Sequence, residues 1–269
     1  MNDRVRLTIE DGIADVRLNR ADKINALDPE MFRAVAETGG RLRENAAVRV
    51  VVISGNGRAF CAGLDVERII AATEGRSILP FADLTKRTHG LANFAQHIIW
   101  LWRELPVPVI AAVHGVAFGG GFQLALGADL RYVAPGTKLS IIEAKWGLVP
   151  DMAGTQLMRH LAREDIVREL TYTGRIFSAD EALAYGFATR VEADPLAAAM
   201  ATAREIAARS PDAIRAIKRL LNEAVACDAA AGLAMETEEQ RRLLATPNQI
   251  EAVKANLENR APRFVNASL

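Results

Sequence analysis

The chain has 269 residues and 29.2 kDa, half of its residues hydrophobic and a quarter charged, with 33 basic side chains balanced by 33 acidic ones. This composition excludes a disordered or low-complexity chain, and zero formal charge with a pI near 6.9 removes the basic footprint that nucleic acid rewards through counterion release. Cys61 and Cys227 are too few for a disulfide scaffold, the polar start Met1-Asn2-Asp3-Arg4 lacks the apolar core of a signal peptide, and apolar runs such as 107–113 are too short to span a membrane. A cytoplasmic chain with neither a nucleic-acid nor a membrane partner is therefore expected. Residues 4–9 and 13–18 alternate apolar and polar side chains around Asp11-Gly12, the signature of a tight β-hairpin. Asp28-Pro29 supplies an N-cap and a first-turn proline, and Phe32, Val35, Ala36, Gly39 and Leu42 follow at helical spacing. Residues 48–53 and 107–113 are continuous apolar runs ended by glycines, which predict parallel strands covered on both faces. Ser178-Ala179-Asp180-Glu181 reads as a capping box with Gly186 as the helix stop, before a short strand at 188–191. From Asp194-Pro195 onward only helix signals occur, with fresh starts at Ser210-Pro211 and Thr246-Pro247. The expected organisation is an α/β core over 1–193 and an all-helical region over 194–269.

Two loops stand out for chemistry. In 58–66, Arg-Ala-Phe-Cys-Ala-Gly-Leu-Asp-Val, small residues let the main chain approach a ligand closely. In 114–124 a predicted strand passes through Gly119-Gly120-Gly121 into an apolar helix, where bared backbone donors would stabilise a developing oxyanion. A nucleotide site finds less support: Gly55-x-Gly57-x-x-Phe60 lacks the third glycine of the dinucleotide fingerprint, and no phosphate-loop Gly-Lys-Ser/Thr occurs.

Five stretches in order, Asn19-Arg20 with Asn25-Ala26-Leu27, Ala59-Phe60-Cys61-Ala62-Gly63-Leu64-Asp65, His114-Gly115 through Gly119-Gly120-Gly121, Glu143 with Gly147-Leu148-Val149-Pro150, and Gly154-Thr155-Gln156, resemble the motifs of the crotonase (enoyl-CoA hydratase/isomerase) family. The resemblance implies a spiral of β-β-α turns, a C-terminal helical region that builds homotrimers or homohexamers, and an acyl-CoA thioester substrate, with coenzyme A as part of that substrate and no separate cofactor. Carried over by position, the N–H groups of Leu64 and Gly120 would hold the thioester oxygen. Lys23, Ala26, Ala62 and Gly63 would surround the coenzyme A. Lys254, Arg260 or Arg263 would offset Asn256 and Asn259, which fall where relatives often place an aromatic residue and a lysine.

Removing a proton alpha or gamma to a thioester puts charge on the carbonyl oxygen, so a base must accompany the oxyanion hole. The family's first carboxylate position matches Gln123, an amide that can orient water or substrate but cannot take a proton. The second matches Glu143, which follows the apolar run 139–142; its alternative role is a salt bridge to Lys138 or Lys145. Asp151 resembles the second acid of dienoyl-CoA isomerases and equally suits an N-cap before the helix-like stretch 154–161. The expectation is thus double-bond isomerisation with Glu143 as base, with hydration using Gln123 to position water, or acyl-CoA binding without catalysis, as alternatives. Cys61 reads as packing, since it has no cationic or histidine partner in sequence. His89, His97, His114 and His160 show no ligand spacing, so no metal is expected. Trp100, Trp102, Phe118 and Phe122 read as core, and 71–95 as a lid over the acyl tunnel.

Overall fold

The computed structural model describes residues 3–78 and 83–267. Met1 and Asn2 of the polar start, and 79–82 of the expected lid, lie outside the described residues. The opening hairpin pairs β1 (Val5–Glu10) with β2 (Ile13–Leu18), and both turn residues, Asp11 and Gly12, have positive φ as a primed turn requires. Asp28 caps α1 (Pro29–Arg43) by accepting from the Met31 N–H at 2.7 Å. Next come β3 (Val50–Gly55), α2 (Val66–Thr73) and α3 (Phe94–Glu104). The box that starts α3, Asn93 with Gln96, was not anticipated from sequence.

Each later turn of chain gives one strand to each of two sheets. β4 (Val109–Val113) leads through β5 (Val116–Phe118) to α4 (Gly120–Leu126), and β6 (Leu130–Val133) leads to β7 (Lys138–Ser140). After α5 (Gly154–Met158) and α6 (Glu164–Thr173), β8 (Phe177–Ser178) runs straight into α7 (Ala179–Tyr185), and β9 (Arg190–Val191) closes the series. The large sheet has the order β1-β2-β3-β4-β6-β9, antiparallel only at β1-β2; the small one is β5-β7-β8. The capping box at Ser178–Glu181 and the left-handed stop at Gly186 stand as expected.

Residues alternate faces along a strand, so the apolar runs of β3 and β4 serve two cores. Val51, Ile53, Val109 and Ala111 face α1 and α3, where Phe32, Val35, Ile98 and Trp102 are fully buried. The close approach of α1 to α3 depends on Gly39, where a Cβ would run into the Leu101 side chain. Val50, Val52, Ile110 and Tyr132 face the opposite way, against Ala199, Ala203 and Ala207 of α8 (Pro195–Ala207). Alanines one turn apart let that helix lie close to the sheet.

Three more helices follow: α9 (Pro211–Glu223), α10 (Ala229–Leu243) and α11 (Pro247–Leu257). The Ser210 and Thr246 caps were legible in sequence, whereas the Asp228 cap of α10 has no accompanying proline. Lys218 of α9 is 6% exposed and donates to Trp102 O at 3.0 Å, Val107 O at 2.9 Å and Asp129 Oδ2 at 2.8 Å. A buried ammonium is tolerated only when its donors are matched in this way, so α9 is tied to the ends of α3 and β4.

Candidate active site

The loop after β3 is stitched on both sides. Phe60 N–H donates to His114 O at 2.8 Å and Cys61 N–H to Val116 O at 3.1 Å, which aligns it with the segment entering β5. On the other side Leu27 N–H donates to Gly63 O at 2.8 Å and Asp65 N–H to Leu27 O at 3.1 Å. The Leu64 N–H lies between these two bonds and meets no backbone acceptor among the described residues. Gly120 is the first residue of α4, a position whose N–H has no partner within a helix.

Gly63 brings the two loops together. Its φ is +90°, a Cβ there would strike Phe118 O, and the same Cβ would lie 3.5 Å from the Gly120 nitrogen. Leu64 and Gly120 line one cavity of about 610 Å³, which also takes in Gln123, Glu143 and Asp151 and is otherwise mainly apolar. The two loops singled out in sequence therefore meet at one place.

Glu143 sits on a 3₁₀ turn (Glu143–Trp146) just after β7 and is 8% exposed. Burial is the main cause that lifts its carboxyl above the ordinary range; bonds from the backbone and from Gln123 oppose the rise, and the Asp151 charge adds to it. One of its oxygens is held by Gln123 and the other has no partner, so neither Lys138 nor Lys145 pairs with it and the salt-bridge alternative falls away. Its Oε1 accepts from Gln123 Nε2 at 2.5 Å, and its buried Oε2 has no partner. A Cβ at Gly119 would approach Oε1 to 3.3 Å, so the glycine leaves room for the carboxylate beside the start of α4.

Gln123 is 1% exposed, and its amide is fixed from both ends. Oε1 accepts from Met152 N–H at 3.0 Å and Gly154 N–H at 2.9 Å, so both lone pairs are occupied and the amino group must face Glu143. Asp151 does not cap α5: the N-cap is Ala153 at φ +70°, with no side-chain bond. The helix starts in a left-handed residue because the two N–H groups that flank this bend are already bound to Gln123. Asp151 instead keeps an exposed side at the cavity wall, where the surrounding protein still raises its pKa, chiefly by desolvation.

Of the residues expected around coenzyme A, Ala62 and Gly63 line the cavity, whereas Lys23 and Ala26 stand outside its described lining. Lys23 Nζ is 3.2 Å from Glu67 Oε1 on the surface, and Ala26 is buried. Arg260 is engaged by Glu251 and Glu258. Cys61 is packed inside, where burial pushes its thiol up to about 12. Phe122 and Trp102 are core, while Phe118 lines the cavity. Ser77, Ile78 and Leu84 of the expected lid form part of the cavity wall. Among the described residues no cluster of His, Cys, Asp or Glu has the makings of a metal site.

Sequence reading assigned no role to Arg20, Asn25 and Asp65, which hold the first loop. Asn25 is fully buried; its Oδ1 accepts from Arg20 N–H at 2.8 Å and its Nδ2 donates to Asn56 O, Ala59 O and Phe60 O at 2.9–3.1 Å. Arg20 Nη1 reaches Asp65 Oδ2 at 2.5 Å and Ala26 O at 3.1 Å. Asp65 is partly desolvated, which opposes ionisation, but the bonds from Arg20 and the Glu67 N–H hold its carboxyl below the usual range. The signal was present as polar residues at 19–20 and 25, but the partners that tie them to the loop lie 31 to 45 positions away.

A family model described as enoyl-CoA hydratase/isomerase matches residues 8–267. The chain is 36% identical over 223 residues to the carnitinyl-CoA dehydratase of Salmonella typhi, covering 82% of this chain and 80% of that protein. It is 30% identical over 261 residues to the mitochondrial methylglutaconyl-CoA hydratase of Mus musculus, covering 94% and 79%. A crystal structure of an enoyl-CoA hydratase from Polaromonas sp. JS666 matches it with a TM-score of 0.87 at 30% identity, over 97% of this chain and 99% of that one.

Proposed function

The chain belongs to the enoyl-CoA hydratase/isomerase family, with the crotonase fold, and from that premise we propose that it shifts a double bond of an acyl-CoA thioester from the 3 to the 2 position, with Glu143 as the base. The observation that carries this reading is the Glu143 carboxyl: buried, raised in pKa, and bonded through one oxygen only, in the cavity that also holds Leu64 and Gly120. In this mechanism Glu143 takes a proton from C2 of a 3-enoyl thioester. The electrons move onto the carbonyl oxygen, where the Leu64 and Gly120 N–H groups stabilise the dienolate more than the neutral ground state. Glu143 then returns the proton to C4, which leaves the 2-enoyl thioester and restores the base. Coenzyme A arrives with the substrate, so the reading calls for no separate cofactor.

Hydration of a 2-enoyl thioester is the second reading, favoured by the activities printed for the relatives, one a hydratase and another a dehydratase. It asks Gln123 to position water, yet its amide oxygen is saturated and only one amide hydrogen remains for a water molecule. A proton relay between Glu143 and Asp151 would extend the first reading to 3,5-dienoyl thioesters. The test is a panel of 2-enoyl, 3-enoyl and 3,5-dienoyl CoA thioesters in heavy water. Isomerisation of the 3-enoyl compound, with deuterium at C4 only to the extent that the Glu143 proton exchanges with solvent before its return, and lost about 10²–10⁴-fold in Glu143→Gln, is expected. Hydration lost in Gln123→Ala supports the second reading, and binding without turnover or exchange defeats both. In the same reading the exposed apolar side chains Leu221, Leu233 and Leu257 are covered in a homotrimer or homohexamer, and sedimentation of a stable monomer would contradict that assembly.

A further inference from the structure

The charged side chains that line the cavity are both acids, Glu143 and Asp151. No lysine, arginine or histidine lines it among the described residues, and the four residues at 79–82, Leu-Pro-Phe-Ala, are uncharged by sequence. The rest of the wall is apolar: Phe32, Ile69, Leu84, Trp146 and Val149 among others. Glu143 is more than nine-tenths buried, and its Oε2 lacks a partner. Asp151 carries no cationic neighbour either: burial and a backbone hydrogen bond act on its carboxyl, with no arginine or lysine among the causes. A carboxylate carried on the acyl chain would thus meet two like charges beside a largely apolar wall, with nothing to neutralise it. We propose that Asp151 is a specificity-determining residue that restricts this cavity to acyl chains without negative charge and turns away acyl-CoA thioesters with a distal carboxylate.

The inference rests on the acyl-CoA reading above and deepens it by naming the substrate class. It sets this chain apart from the methylglutaconyl-CoA hydratase it resembles, whose substrate as named carries a carboxylate at the far end of the acyl group. The discrimination arises from what the cavity lacks as much as from what it holds. A site built for a dicarboxylic acyl group needs an arginine or lysine in its lining to offset desolvation of the carboxylate, and this lining offers leucine, isoleucine and tryptophan instead.

Three 3-enoyl-CoA thioesters of one chain length test it: one ending in methyl, one in a carboxylate, and one in the methyl ester of that carboxylate. With the wild-type protein kcat/KM for the carboxylate should fall about tenfold to a hundredfold below that for its ester, as one close like charge at an intermediate dielectric implies. In Asp151→Asn the ratio of ester to carboxylate should shrink by at least about tenfold, whatever happens to the absolute rates, because a role in proton transfer would slow both substrates alike. Equal kcat/KM for ester and carboxylate in the wild type would overturn the proposal, as would a ratio that Asp151→Asn leaves unchanged. Titration calorimetry with the saturated ester and carboxylate thioesters reads the same preference without turnover. Failure of all three 3-enoyl compounds to react, with the binding preference intact, would sink the isomerase reading and leave this one standing; equal binding would sink this one alone. Should Asp151→Asn not fold, the same ratio is read in Asp151→Ser, with the same outcomes.

Discussion

At position 143 a carboxylate is kept where solvent is scarce, and the raised pKa fixes the direction of two effects. A base must be ionised to act, so kcat/KM should fall as pH drops through a value above the ordinary glutamate range. Stability runs the other way. The group ionises less readily folded than unfolded, so the stability tied to it is full below the unfolded pKa and is lost as pH rises through the folded one. Glu143→Gln should therefore cut turnover about 10²–10⁴-fold while leaving Tm at pH 7 unchanged or a few degrees higher, measured by calorimetry. Gln123 is the neighbour of that carboxylate. Gln123→Glu would put a second carboxylate at the same oxygen and remove the amide donor, so the acid limb of the pH–rate profile should move upward by about a unit or more. A limb that stayed in place would mean that the amide does not act on Glu143.

Among elements, the loop carrying Leu64 depends on Arg20, Asn25 and Asp65, all buried. Removing Asp65 leaves the buried Arg20 with Asp28 alone, at 3.4 Å, and Asp65→Ala should cost about 1–3 kcal/mol of stability together with a loss of kcat/KM. Denaturant unfolding and kinetics on the same sample check this, and an unchanged midpoint would refute it. These residues also show what a sequence discloses and what it hides. The turn at Asp11-Gly12, the cap at Asp28 and the box at Ser178–Glu181 were legible because each places its whole signal within a few residues. The small sheet β5-β7-β8 was not, since strands of two or three residues have too few repeats to show a period. The start of α5 left two readings open for a different reason: Asp151 has the chemistry of a cap, but the side chain of Gln123, from another helix, had already claimed the nearby N–H groups. The two glycine-bearing loops were visible as motifs; that Gly63 abuts the first residue of α4 required the fold.

Over the whole molecule, the helices after residue 194 do two different things. α8 completes the core by covering the second face of the large sheet, so Ala203→Leu should overpack that interface and lower stability by about 1–3 kcal/mol, measured by urea unfolding, while active-site chemistry on the far side is spared. α9 to α11 instead carry exposed apolar side chains and are joined to the rest through contacts such as that of Lys218. That ammonium gives the molecule a covalent reporter of its own. An acylating reagent needs a free, neutral amine, and all three donors of Lys218 are spoken for inside the protein, so in peptide mass maps it should be modified far more slowly than Lys23 or Lys138. Its labelling rate, followed against denaturant, would read how often α9 swings away from the sheet, and labelling as fast as that of Lys138 in buffer would mean the helix is never clasped.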